Sequence, residues 1–80
     1  MTSMKNLIKQ VMDGRTSFEP ENDSLDGLRA FQRVATSLLE AERLGYIQDV
    51  IPHQESDSGH DFYDCVVVGS ATEHGQSFVG

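Results

Sequence analysis

One cysteine, two prolines, no tryptophan and only six basic side chains in 80 residues set limits before any pattern is read. With Cys65 alone there is no internal disulfide and no cysteine cluster for a structural zinc, so stability has to come from apolar packing. That composition suits a reducing cytoplasm. No apolar run approaches the roughly 20 residues needed to cross a bilayer, and Met1 to Asn6 carries no apolar segment or cleavage signature. Neither secretion nor membrane insertion is indicated. A domain this short buries only about 60% of the surface its unfolded chain exposes, which is room for one core and one functional surface. A self-contained enzyme with a deep pocket is not expected. With no internal repeat and no linker, residues 1–80 read as a single domain.

Thirteen acidic side chains face the six basic ones, and the net charge of −7 is unevenly placed. Residues 1–15 carry +2, residues 16–27 carry −4 and residues 28–44 carry +1, while residues 45–80 hold six acids and no Lys or Arg. A surface built from that last block should repel phosphate backbones.

The apolar positions Met4, Leu7, Ile8, Val11 and Met12 fall on one face of a helix, with Ser3 as its N-cap and Gly14 as its stop. Thr16 to Phe18 predicts a short strand closed by Glu19-Pro20. A second, longer helix is expected to start at Ser24 or just after Gly27 and to run to Leu44-Gly45. Its stripe is Leu28, Phe31, Ala35, Leu38, Leu39 and Glu42, widened by Val34 and Ala41, and its polar face carries Arg29, Gln32, Arg33, Thr36, Ser37, Glu40 and Arg43. Tyr46 to Ile51 reads as a strand stopped by Pro52, His53 to Asp61 as a polar loop, and Phe62 to Val68 as the second strand of a hairpin. Ser70-Ala71-Thr72-Glu73 has capping-box spacing, which predicts a last helix from Ala71 towards Val79, weakened by Gly75.

This order resembles the winged-helix fold over nearly the whole chain. Leu38-Leu39-Glu40-Ala41-Glu42-Arg43-Leu44-Gly45-Tyr46-Ile47 looks like the L-x-x-L-E-x-x-G-Y-I junction between a long helix and the wing. Ala71-Thr72-Glu73-His74-Gly75 is similar to the L-T-E-x-G that opens the last helix of many such domains, with Ala71 in place of leucine. The compact layout is similar to the YjcQ-like family of small bacterial and phage winged-helix proteins. In winged-helix DNA binders the helix before the wing enters the major groove. The resemblance therefore implies double-stranded DNA as partner and Arg29, Gln32, Arg33 and Thr36, with Ser37 at the margin, as the contacting residues. The chain departs from the family at the wing, where residues 53–61 present three acids and no Lys or Arg. The connection before the long helix is also short, so the first helix of a helix-turn-helix pair is expected to be reduced to one turn or absent.

For Arg29 and Arg33, phosphate or base contact stands against a solvated face paired with Glu40 or with the acids before Gly27. His53, His60 and His74 lack regular ligand spacing and read as ordinary exposed residues rather than as a metal site or a pH-sensitive wing. Cys65, among valines, reads as a small buried hydrophobe rather than a reactive thiol. Ser37, His60 and Asp64 have no nucleophile elbow, so no catalytic residue, metal ligand or cofactor is expected. Tyr46, Phe62 and Tyr63 are expected to pack across the hairpin or on the helix behind it rather than to stack on bases.

The sequence thus predicts an α+β winged helix with a core of Leu7, Ile8, Val11, Phe18, Leu28, Phe31, Leu38, Leu39, Leu44, Ile47, Val66 and Val68. Two non-enzymatic functions stay open. One is a DNA-binding, transcription-regulatory domain, and the other is an acidic protein-interaction module on the same scaffold. A homodimer would serve either, by doubling a weak surface and covering apolar area.

Overall fold

A computed structural model describes residues 3–22, 24–55 and 62–80. The chain is α+β, with three helices and two small antiparallel sheets among the described residues. Helix α1 (Met4–Met12) begins where Ser3 accepts the Asn6 N–H at 3.2 Å, and it ends before Gly14, which takes a φ of +104°. Strand β1 (Ser17–Phe18) follows. Helix α2 (Leu25–Arg43) starts at the earlier of its two candidate caps, with Ser24 accepting from the Gly27 N–H at 3.0 Å. Among the described residues α2 is the only helix between β1 and the next strand.

The single strand expected over Tyr46 to Ile51 is two, β2 (Ile47–Gln48) and β3 (Ile51–Glu55), and they lie in different sheets. The break is at Asp49, whose φ of +58° places it in the left-handed region that Asp tolerates better than most residues. The Val50 N–H, freed from any ladder there, donates to the Glu42 carboxylate at 3.0 Å. The returning chain crosses at the same point. Gly69 donates to the Gln48 and Asp49 carbonyls at 3.1 and 3.2 Å, and a Cβ on it would stand 2.7 Å from that of Asp49. Neither crossing is visible in a one-dimensional pattern.

Strand β4 (Phe62–Val67) is central in the order β1-β4-β3, while β2 pairs with β5 (Ser70–Ala71). Pro52 therefore does not stop a strand but sits inside β3, opposite Val66. It is tolerated because β3 is an edge, where a missing N–H breaks little. His53 and Gln54, expected in the loop, belong to β3 as well. The pairing places His53 opposite Cys65 and Gln54 opposite Tyr63, so Asp64 is an extra residue in a bulge. The bulge resets the alternation and lets Tyr63 pack against the core.

Helix α3 (Glu73–Val79) is capped by Thr72, not by the Ser70 of the capping-box reading, because Ser70 and Ala71 are committed to pairing with Gln48 and Ile47. Gly75 is more than a weak helix former: a Cβ there would meet the Tyr46 carbonyl oxygen at 2.0 Å. Its absence is what lets α3 lie on the β2 entry. Tyr46 then stacks on Phe78 with ring centroids 4.4 Å apart.

Nine of the twelve expected core residues are buried. Leu28 and Leu39 are half-buried, and Leu44 is 40% exposed because it caps α2 just before Gly45, at a φ of +83°, turns the chain. Ala35 and Ala41 take the remaining core positions on α2. Among the described residues no helix is long and apolar enough to cross a membrane.

Candidate nucleic-acid interface

The amphipathic pattern of α2 fixes which residues face outward. Phe31, Ala35 and Leu38 point into the core, which turns Arg29, Arg33 and Thr36 to solvent. Arg29 and Arg33 stand one turn apart, about 6 Å along the axis. Among the described residues neither has an ion-pair partner, so the expected pairing with Glu40 is not formed. Glu40 bonds instead to Arg43 through both carboxylate oxygens. The Arg43 hydrogen bond holds the Glu40 carboxyl below its usual range, and Glu40 holds the Arg43 guanidinium above its own. The C-terminal end of the face is thus neutralised, and the middle keeps two positive charges that no described residue pairs with.

Gln32 does not belong to this surface. Its side-chain amide donates to the Tyr63 carbonyl at 2.8 Å and accepts from the Tyr63 N–H at 2.7 Å. Among the described residues β1 pairs with β4 only at Val66 and Val67, and at Tyr63 the Gln32 amide takes the place of a ladder partner. A second donation, to the Leu28 carbonyl at 2.9 Å, uses its other amide N–H. The Thr36 hydroxyl donates to the Gln32 carbonyl at 2.8 Å and remains exposed, whereas Ser37 is half-buried.

The chain matches no family model, no curated protein and no solved structure.

Beside the outer face of α2 lies a cleft of about 340 Å³, bounded by α1, the 15–21 segment and α2. Arg15 on one wall is held by the Gln10 side-chain oxygen at 2.5 Å and the Ser17 carbonyl at 3.1 Å, and its guanidinium lies 4.3 Å from the Phe18 ring centroid. Arg33 contributes to the α2 wall, and Glu19 and Glu21 belong to the same lining. Nothing in the sequence pattern marked Arg15, because the cation–π and backbone contacts that hold it exist only once α1 and β1 have packed.

At the hairpin His53 is exposed, as expected, and its Nδ1 lies 2.5 Å from Asp64 Oδ1 on the neighbouring strand. Cys65 is half-buried rather than part of the core: it is the cross-strand partner of His53, while Val66 and Val68 are the buried members of the run. Among the described residues no three His, Cys, Asp or Glu side chains converge on a metal site. His60 and the acids Asp57 and Asp61 of the expected wing tip lie outside the described residues. His74 packs against Tyr46 with centroids 4.9 Å apart, and Tyr46 rests on α3 as expected of an aromatic that packs rather than binds.

Proposed function

We propose that this α+β domain is a winged helix of the YjcQ-like kind and that it docks on double-stranded DNA as a transcription-regulatory module, with Arg29 and Arg33 of α2 as the phosphate or guanine contacts and Thr36 beside them. The observation that carries this reading is the pair of exposed arginines, one turn apart and without an ion-pair partner among the described residues, on the helix that precedes the hairpin, whose Arg43 is already neutralised by Glu40. Gln32 supports the strand rather than the DNA. With a net charge of −7 the attraction is local, so binding should be weak at physiological salt and strengthen as salt falls.

The test is a fluorescence titration with random-sequence duplex DNA across a salt series. Each phosphate contact contributes about 0.9 to the slope of log affinity against log salt, so Arg29→Ala and Arg33→Ala should each flatten it by about 1. Absence of binding at low salt, or variants with the wild-type slope, would overturn the reading and leave the same scaffold as an acidic protein-interaction module.

A further inference from the structure

The cleft between α1, the 15–21 segment and α2 combines features that the DNA reading does not use. Leu7, Phe18 and Phe31 form its floor and are already less than 5% exposed, so the accessible apolar lining is the rim made by Pro20, Ala30 and Val34. Around that rim stand two cations, Arg15 and Arg33, and two anions, Glu19 and Glu21. Among the described residues these four form no ion pair with one another. Arg15 is fixed by two neutral oxygen acceptors and the Phe18 ring, so its charge is oriented without being cancelled. Charges of both signs around a shallow apolar centre, with Arg15 held in place, fit a ligand carrying the same elements in complementary places. They do not favour a polyanion, which Glu19 and Glu21 repel, and an uncharged apolar molecule gains little from a floor that is already covered.

We propose that this cleft is a docking site for an extended or helical peptide segment of a partner protein, with one large apolar side chain seated between Ala30, Val34 and Pro20, a carboxylate reaching the arginines and a cation reaching Glu19 and Glu21. The volume, near the lower end of the roughly 300–1,000 Å³ of ligand sites, admits one anchor side chain rather than a whole element. This site is independent of the DNA reading except at Arg33, which borders both surfaces.

The experiment is two-dimensional NMR of the full chain titrated with capped nine-residue peptides. Each has a central leucine or phenylalanine, with glutamate three positions to one side and lysine three positions to the other, in both orders. A control set carries glutamine at both charged positions. One charged order should shift the Phe18, Gly27, Ala30 and Val34 amides and bind about tenfold more tightly than its glutamine control, the equivalent of about 1.4 kcal/mol. Ala30→Glu, at an exposed position that tolerates a good helix former, should abolish those shifts, while Arg29→Ala should leave them in place. Glutamine controls that bind as tightly as the charged peptides, or shifts that fall elsewhere, would overturn the proposal. Since the peptide titrations contain no DNA, their outcome does not depend on the fate of the DNA reading.

Discussion

Replacing Gly75 by alanine sets helix propensity against packing, and the two predict opposite signs. Alanine is favoured over glycine in a helix interior by about 1 kcal/mol, so α3 alone would gain from the change. In the folded chain the new Cβ would stand 2.0 Å from the Tyr46 carbonyl oxygen and 2.8 Å from its carbon, both backbone atoms that cannot rotate away. Relief requires α3 to move off by about 1 Å to regain van der Waals separation. That movement acts on the Tyr46–Phe78 stack, on the Thr72 N–H to Tyr46 carbonyl bond at 3.0 Å and on the Thr72 hydroxyl to Gly45 carbonyl bond at 2.5 Å. The stack is worth about 0.5–1.5 kcal/mol and each hydrogen bond a similar amount. Losing most of these against the propensity gain leaves Gly75→Ala destabilised by about 1–3 kcal/mol, a fall in Tm of about 5–20 °C for a chain of this size. Thermal denaturation followed by circular dichroism reads the shift, with Ser77→Ala on the exposed face of the same helix as the propensity control. A Gly75→Ala variant as stable as the parent would show that α3 is not held against Tyr46 as described.

Gln32→Ala should cost about 2–3 kcal/mol in urea denaturation, because it leaves the Tyr63 N–H and carbonyl without the partners that the amide provides; unchanged stability would return Gln32 to the outer face. Arg43→Gln should move the Glu40 carboxyl back up to its ordinary range, read from its side-chain carbon in NMR titration, and an unmoved midpoint would refute the pairing. Because the folded-state value is depressed, any stabilisation from this exposed pair is present at neutral pH and is lost as pH falls through the Glu40 titration. The parent and Arg43→Gln should therefore converge in acid.

Residues whose role is local were legible in the sequence. The stripe of α1, the outward turn of Arg29, Arg33 and Thr36, and the caps Ser3 and Ser24 follow from a period of 3.6 and from side chains that bond within three residues. Choices settled by distant chain were not. Ser70 and Thr72 are both competent caps in one dimension, and the pairing of Ser70 with Gln48 decides between them. Glu42 fits the apolar stripe by spacing, yet its carboxylate is drawn to the Val50 N–H that the Asp49 turn sets free. Leu44 fits it too, but the helix ends there and its side chain leaves the core.

The same division separates the four residues first assigned to the DNA surface. Arg29, Arg33 and Thr36 need only an exposed helix face, so the sequence suffices to place them. Gln32 has the same spacing, but its position beside the outer face also lies over the stretch of β4 that the two-residue β1 is too short to cover. An unpaired N–H and carbonyl beside a half-buried helix face cost more than a solvent-exposed amide could return. The side chain with both a donor and an acceptor is therefore recruited to the strand, and what remains on the surface is a pair of arginines. Arginine can hold phosphate or donate to a guanine edge, but it carries no acceptor, so with Gln32 committed to β4 the pair lacks the combined donor and acceptor that reads adenine. A DNA-binding role for a single copy of this chain would therefore rest on few base contacts, and finer discrimination between sites would have to come from a second copy or from a partner seated beside Arg33.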